Sequence, residues 1–176
     1  SLGFKERCRR TTWELYNNDA PMPSLALVEV AGRPARDWPR QQAWLRRIYP
    51  PEVAWNLGFE AERLKPDVLM SFSRWLESNT LNHWCARKWG DTLGFATWEA
   101  PAHAQGTIWL APNPVCEEEA LLSLLAVVRQ YIPTRCPISL NYPAGQAAGA
   151  FTQAGFTLLN TLIWMSVPTL PPDSAQ

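Results

Sequence analysis

Residues 107–142 read TIWLAPNPVCEEEALLSLLAVVRQYIPTRCPISLNY, and this stretch decides the fold. Its apolar pattern predicts a strand over residues 107–110, a helix from Glu117 to about Ile132, and a second strand over residues 137–142. A strand, a crossover helix and a second strand of this length form a βαβ unit with parallel strands. Such a unit often binds a phosphate-bearing cofactor where the first strand meets the helix. The stretch therefore predicts an α/β fold with a candidate cofactor site.

The composition limits the possible functions. The chain has 176 residues, with 16 Lys plus Arg balanced by 16 Asp plus Glu, so we expect one domain of zero net charge. A neutral balance gives no case for binding nucleic acid or an anionic membrane surface. No apolar run approaches the roughly 18 residues of a membrane span, and no signal-peptide core follows the first charges. We therefore expect a cytoplasmic protein without nucleic-acid or membrane partners.

The four cysteines are scattered along the chain without a C-x-x-C pair. A zinc site would need closely spaced Cys/His pairs, so no metal is predicted. Reduced, mostly buried thiols of a cytosolic protein explain this pattern. Cys116 has a second interpretation, because the N-terminus of the helix that begins at Glu117 can lower the pKa of a thiol. A buried, inert thiol is the alternative at this position.

The two ends of the chain carry similar local sequences. Gly3-Phe4 precedes a strand-like run that ends near Trp13, and Gly155-Phe156 precedes a run that contains Trp164. Internal similarity of this kind suggests two related units in a longer protein. We therefore divide the chain into the terminal strand of an upstream unit (residues 1–16), a linker (17–24), one domain (25–168) and a disordered tail (169–176).

Local patterns predict the remaining elements of the domain. In order, they predict a strand over residues 25–30, a helix from Asp37 to Ile48, a helix from Pro66, a hairpin over 81–98 with its turn at Gly90-Asp91, a short helix over 145–153 and a strand over 157–167. Asp37 is expected to cap its helix. The predicted order is therefore strand, two helices, hairpin, strand, helix, strand, helix, strand.

Three short motifs occur within this order. Residues 147–156 read AAGAFTQAGF and resemble the A-x-x-x-Y-x-x-x-G-F ending of the GCN5-related N-acetyltransferase (GNAT) superfamily. Leu110-Ala111-Pro112 resembles the V-x-P that ends the family's fourth strand, and Leu93-Gly94-Phe95 resembles the h-G-x that opens its third. From residue 25 to 168 the chain resembles one such domain, and its N-terminal run resembles the end of another, as in tandem GNAT proteins.

The resemblance implies a fold and a chemistry. It implies an α/β (α+β) fold with a mixed, mostly antiparallel central sheet, helices on both faces and a splayed parallel strand pair. Acyl-CoA would lie between the splayed strands, its pantetheine arm paired with the backbone of Trp109, Leu110 and Ala111. Its pyrophosphate would meet backbone N–H groups near Val115, Cys116 and Glu117, where the helix dipole favours negative charge. Glu99, near the end of the third strand, is the candidate general base for acetylation of an amine.

Two departures from the family pattern predict that this copy is degenerate in CoA binding. Residues 113–120 read NPVCEEEA, without the family's glycines and arginine, and place three carboxylates where the pyrophosphate would arrive. Three repulsions of about 1 kcal/mol each would offset much of the attraction of the loop. Phe151 occupies the place of the family's Tyr and has no proton to donate to a leaving thiolate.

Three functions therefore compete. In the first, this domain is a degenerate unit of acetyl-CoA:amine N-acetyltransferase type that serves a structural or acceptor-site role beside an active upstream unit. In the second, it is an active acetyltransferase with an atypical pyrophosphate loop. In the third, it is a non-catalytic dimerisation or interaction module, with the opening strand paired in this domain's sheet or exchanged between two chains of a homodimer.

Overall fold

A computed structural model describes residues 4–16, 27–66, 80–100, 106–132 and 137–166. The linker predicted over 17–24, the helix predicted after Pro66 and the tail predicted over 169–176 lie outside these residues.

The described strands form one mixed sheet. They are β1 (Lys5–Leu15), β2 (Val28–Gly32), β3 (Thr80–Lys88), β4 (Asp91–Ala100), β5 (Gly106–Pro112), β6 (Ile138–Pro143) and β7 (Thr157–Ser166). Their spatial order is β2-β3-β4-β5-β6-β1-β7. Every adjacent pair is antiparallel except β5–β6, which is parallel. The predicted mixed, mostly antiparallel sheet is thus confirmed.

Helices cover both faces of this sheet. The described α-helices are α1 (Trp38–Ile48), α2 (Pro51–Ala54), α3 (Glu117–Tyr131) and α4 (Ala148–Gln153). The ring of Trp44 on α1 packs 5.5 Å from that of Phe95 on β4. A Cβ atom on the neighbouring Gly94 would instead lie 2.8 Å from Leu124 on α3. Because adjacent strand residues point to opposite faces, α1 and α3 lie on opposite sides of the sheet, as predicted.

Two local predictions need correction. The β3–β4 turn consists of Trp89 and Gly90, whose φ angles are +51° and +89°, and not of Gly90 and Asp91. Asp91 is instead the first residue of β4, opposite Lys88. Two successive positive φ angles give the tight turn whose twist suits a hairpin. Asp37 does precede α1, but its side chain makes no capping hydrogen bond and binds Arg87 at 2.5 Å.

The opening strand β1 lies inside the sheet, between β6 and β7. Its residues from Arg10 to Leu15 pair with β6 within the same chain, and its opposite edge pairs with β7. Trp13 is buried and packs 5.1 Å from the ring of Phe151 on α4. β1 therefore contributes to the hydrophobic core as well as to the strand ladder.

Candidate functional site

The parallel strands β5 and β6 separate after a short paired segment. Their register covers three pairs and ends with Ile108 opposite Leu140, although both strands continue beyond this point. The gap between the strands beyond Ile108 and Leu140 is called the wedge below. This observation confirms the predicted splayed parallel pair.

Two prolines explain why the ladder stops. If the register continued, the N–H of Leu110 would donate to the carbonyl of Asn141. The next two donors would be the backbone nitrogens of Pro143 and Pro112, and proline carries no N–H. The two strands therefore cannot form the two rungs that would follow the one from Leu110 to Asn141.

Only one of the three residues predicted to bind pantetheine presents its amide to the wedge. The N–H of Asn113 donates to the carbonyl of Leu93 on β4. Backbone groups alternate sides along a strand, so those of Ala111 and Trp109 also face β4. The backbone of Leu110 faces β6. Its N–H is already bonded, because it donates to the hydroxyl oxygen of Tyr49 at 3.3 Å.

The carbonyl of Asn141, which would accept from Leu110 if the ladder continued, is bonded instead by Arg10 of β1. Its guanidinium donates to the carbonyl of Asn141 at 3.2 Å and to the side-chain oxygen of the same residue at 2.6 Å. It also donates to the carbonyl of Ile48 at the end of α1. The guanidinium carbon lies 5.1 Å from the centre of the Tyr49 ring. Tyr49 and Arg10 thus touch each other and occupy the wedge from the α1 side.

Both side chains are buried. Arg10 is 2% exposed, and Tyr49 is likewise 2% exposed, with its ring 4.7 Å from Phe59 and 5.3 Å from Trp109. Burial raises the pKa of the Tyr49 hydroxyl, so the phenol remains protonated at neutral pH. Sequence reasoning missed this pair. The available signals were a proline at the end of each strand and an arginine among the core-facing residues of β1.

The first turn of α3 carries the three predicted glutamates, and two of their carboxylates bind neighbouring cations. Glu117 binds Arg47 at 3.0 Å, and Glu119 binds Lys88. Two of the three negative charges are therefore balanced by cations, which weakens the repulsion that the sequence predicts. Within the described parts of the chain, no acceptor bonds the backbone N–H groups of Glu117, Glu118 and Glu119.

A tyrosine that the sequence did not single out lies beside Phe151. Phe151 is fully buried, and the ring of Tyr142 on β6 packs edge-on against it at 5.1 Å. The Tyr142 hydroxyl donates to a carboxylate oxygen of Glu117. Burial, together with this hydrogen bond, raises the pKa of Tyr142 far above its ordinary value. The site therefore keeps one protonated phenol next to the position where the family has its tyrosine.

Glu99, the predicted general base, lies at the end of β4 and is engaged by two donors. Arg63 binds one carboxylate oxygen, and the indole N–H of Trp109 donates to the other at 3.0 Å. Trp109 follows Ile108, the last paired residue of β5, so Glu99 contacts the base of the wedge through this indole. Each carboxylate oxygen of Glu99 thus already accepts one hydrogen bond in the folded chain.

The loop between β5 and α3 also borders a surface cleft. Val115 is 91% exposed, and Val115 and Cys116 line a surface cleft of about 440 Å³ together with Arg40, Lys88 and Trp89. Burial, and then the carboxylate of Glu119, raises the pKa of the Cys116 thiol. This thiol is therefore not activated by the helix N-terminus.

Among the residues that the structure describes, no three His, Cys, Asp or Glu side chains are arranged to hold a metal ion. No helix among them is long and apolar enough to cross a membrane.

Comparisons with known proteins identify the fold. No protein-family model matches the sequence, and no curated protein matches it. Three solved structures that share the architecture are a GCN5-related N-acetyltransferase from Kribbella flavida (14% identity, TM-score 0.62), one from Anabaena variabilis (10%, 0.54) and a tandem GNAT protein from the clavulanic acid biosynthesis pathway (14%, 0.52).

These alignments cover 94%, 93% and 90% of this chain, but 60%, 41% and 53% of the respective solved chains. The chain thus spans about half the length of the proteins it resembles. At identities this low, the likeness concerns architecture. The seven-stranded sheet, its single parallel pair and the wedge between β5 and β6 agree with it, and the chain has the GNAT fold.

Proposed function

We propose that this domain is a degenerate unit of acetyl-CoA:amine N-acetyltransferase type, with a structural or acceptor-site role beside an active upstream GNAT-like unit. The observation that carries the proposal is the occupied wedge. The N–H of Leu110, which the family pattern assigns to the pantetheine arm, is bonded to Tyr49. The facing carbonyl of Asn141 is bonded to Arg10.

Acetyl-CoA is the cofactor that the fold implies, and the wedge as folded does not fit it. A pantetheine arm pairs with a strand by exchanging main-chain hydrogen bonds, so it needs a free N–H and room beside it. Here a buried phenol and a buried guanidinium take both the hydrogen-bonding groups and the space. No step of an acetyl transfer is therefore assigned to this domain.

An active acetyltransferase with an atypical loop is the second candidate. Two observations favour it: the N–H groups of Glu117, Glu118 and Glu119, which donate to no acceptor among the described residues, and the protonated phenol of Tyr142 beside Phe151. An enzyme of this kind would have to move Tyr49 and Arg10 out of the wedge before the cofactor entered.

A non-catalytic dimerisation module is the third candidate. Among the described strands, β7 lies at one edge of the sheet and carries no charged residue, and Leu158, Leu162, Ile163 and Met165 are largely exposed along it. Long, apolar edge strands tend to pair with other chains. A homodimer or the upstream unit would cover this edge, and in each of the three candidates we expect the protein to act in the cytoplasm.

Isothermal titration calorimetry with acetyl-CoA tests the proposal. We expect this chain to show no saturable binding, and a longer form that includes the upstream unit to bind through that unit. Saturable binding of acetyl-CoA to this chain at micromolar concentration would refute degeneracy and favour the active enzyme.

A further inference from the structure

We propose that the surface cleft beside the β3–β4 turn binds a planar aromatic monocarboxylate, with the ligand ring stacked on Trp89 and its carboxylate paired with Arg40. This cleft, called the turn cleft below, lies between that turn, α1 and the loop that joins β5 to α3. Its volume of about 440 Å³ falls within the roughly 300–1,000 Å³ of small-molecule pockets. Neither Tyr49 nor Arg10 lines it, so the inference does not depend on whether the wedge admits acetyl-CoA.

Trp89 provides the stacking surface. Its φ of +51° lies in the left-handed region, which a bulky residue rarely adopts, and the residue is 78% exposed. The Nζ of Lys88 lies over one face of the indole, 4.8 Å from the ring centre. A residue this exposed cannot have both faces covered, so the other face is open to a ligand. Strained backbone of this kind is common at ligand clamps, where the side chain that it presents has a use beyond the fold.

Apolar side chains enclose the space next to Trp89. Trp44 of α1 and Leu93 of β4 line the turn cleft, and the Trp44 ring is fixed by its contact with the ring of Phe95, 5.5 Å away. Val115 also lines the turn cleft and is 91% exposed. An aromatic ring bound here would remove Trp89 and Val115, two strongly exposed apolar residues, from water.

The loop wall of the turn cleft is held in place by Asn113. Its side-chain Nδ2 donates to the carbonyl of Thr92 at 3.2 Å, and its Oδ1 accepts from the N–H of Val115 at 3.0 Å. Its own N–H donates to the carbonyl of Leu93. These bonds tie the loop to the start of β4. A cleft that is already formed loses less free energy to ordering when a ligand binds.

Arg40 provides the cation. Its Nη1 donates to the neutral hydroxyl of Thr92 at 3.1 Å, and it forms no ion pair with the residues that the structure describes. Lys88, in contrast, binds the carboxylate of Glu119. A planar guanidinium can form two parallel hydrogen bonds with a carboxylate, whereas the ammonium of a lysine acts as a point charge. Arg40 is therefore the group in the turn cleft that suits an acidic ligand.

The charges that line the turn cleft favour a single negative charge on the ligand. Arg40 and Lys88 are balanced there by Asp91 and Glu119. A monocarboxylate brings one negative charge, which Arg40 can match. A phosphate monoester carries a charge of about −1.5 to −2 at neutral pH, and its excess negative charge would be repelled by Asp91. An aromatic carboxylate therefore fits the turn cleft better than a nucleotide does.

The test titrates the chain calorimetrically with 2-naphthoate and with three probes that each lack one feature. The amide 2-naphthamide keeps the ring without the charge, cyclohexanecarboxylate keeps the charge without the aromatic ring, and ADP has phosphates in place of the carboxylate. We expect saturable binding of 2-naphthoate with a dissociation constant below about 1 mM, at least about tenfold tighter than that of each other probe. No saturable binding of 2-naphthoate, or a smaller preference over any of the three probes, would overturn the proposal.

Two substitutions locate the bound ligand. Trp89→Asn removes the stacking surface at a φ that asparagine tolerates, and Arg40→Gln removes the charge but keeps a donor for Thr92. Each should weaken the binding of 2-naphthoate at least about tenfold. The controls Trp55→Asn and Arg36→Gln make the same exchanges at exposed positions outside the turn cleft and should leave the affinity unchanged. Unchanged affinity in either test variant, or an equal loss in its control, would contradict the inference.

Thermal stability provides an independent readout for Trp89. If this residue is retained for a ligand and not for the fold, Trp89→Asn should melt at or above the temperature of the wild type, because asparagine followed by glycine suits this turn. Near-ultraviolet circular dichroism establishes that each variant is folded. A lower melting temperature would show that Trp89 serves the fold, and would overturn its assignment as the stacking surface.

Discussion

The hydroxyl of Tyr142 donates to a carboxylate oxygen of Glu117 at 2.5 Å. The other carboxylate oxygen of Glu117 accepts from Arg47 of α1 at 3.0 Å. Because Tyr142 is on β6 and Glu117 begins α3, this small network ties three elements together at the rim of the wedge. Its contribution to stability can be measured without reference to any ligand.

Substitution Tyr142→Phe tests this tie. It leaves the buried ring in place and removes the donor to Glu117, so we expect the free energy of unfolding to fall by about 1.5–3 kcal/mol, the range for a hydrogen bond to a charged group. Urea unfolding measures the change. Tyr131→Phe is the control, because Tyr131 is exposed and should change stability by less than about 0.5 kcal/mol. Equal effects of the two substitutions would contradict the assigned role.

The raised pKa values of Tyr49 and Tyr142 predict how stability depends on alkaline pH. Above about pH 10, the unfolded chain loses phenolic protons that the native protein retains. The unfolded state then binds fewer protons, so the free energy of unfolding falls as pH rises. This stabilisation is fully present below about pH 10. Tyr142→Phe should reduce the slope by up to about 1.4 kcal/mol per pH unit, as measured by urea unfolding between pH 9 and about 11.

Gly94 faces α3 at close range. A Cβ atom there would lie 2.8 Å from Leu124 and 3.1 Å from backbone atoms of both Ala111 and Pro112. Leu124 can shift, but the backbone cannot, so we expect Gly94→Ala to cost about 1–3 kcal/mol in chemical denaturation. Gly32→Ala is the matched control, because nothing lies within 4 Å of its added Cβ. A neutral Gly94→Ala would show that the sheet and α3 are less tightly packed than the structure indicates.

Deletion of residues 1–18 removes β1 from the middle of the sheet. Strand β7 then loses the strand it pairs with, and β6 loses one edge. We expect the truncated chain to lose cooperative thermal unfolding or to become insoluble, since buried Trp13 and Leu15 also leave the core. Unchanged thermal unfolding after the deletion would indicate that β1 is dispensable.

Much of the fold could be predicted from periodicity and turn residues. The strand at residue 107, the helix from Glu117 and the strand that includes Tyr142 are all present, with ends shifted by one or two residues. The hairpin turn lies one residue earlier than predicted because Trp89 adopts a positive φ, which a bulky side chain rarely does. Propensity alone would have placed Gly90 first in that turn.

The site was less predictable, because its decisive contacts join residues that are distant in sequence. The sequence indicated an unfavourable loop from its three glutamates, whereas the structure pairs Glu117 with Arg47 and Glu119 with Lys88. The hydrogen bond between Tyr49 and Leu110 joins residues 61 positions apart, and the one between Arg10 and Asn141 joins residues 131 positions apart. No local pattern specifies such pairs. The two prolines that stop the ladder, Pro112 and Pro143, are the one decisive feature that the sequence itself contains at the strand ends.

The position of β1 has a consequence for how the chain folds. Thr11 and Thr161 share a hydrogen bond across 150 residues. Because β1 is synthesised before the other described strands, it cannot take its central place until β6 and β7 have left the ribosome. Contacts between such distant parts of a chain slow folding, and an unpaired strand that waits for its partners is open to aggregation. The folding chain must therefore keep β1 from aggregating until β6 and β7 are available to pair with it.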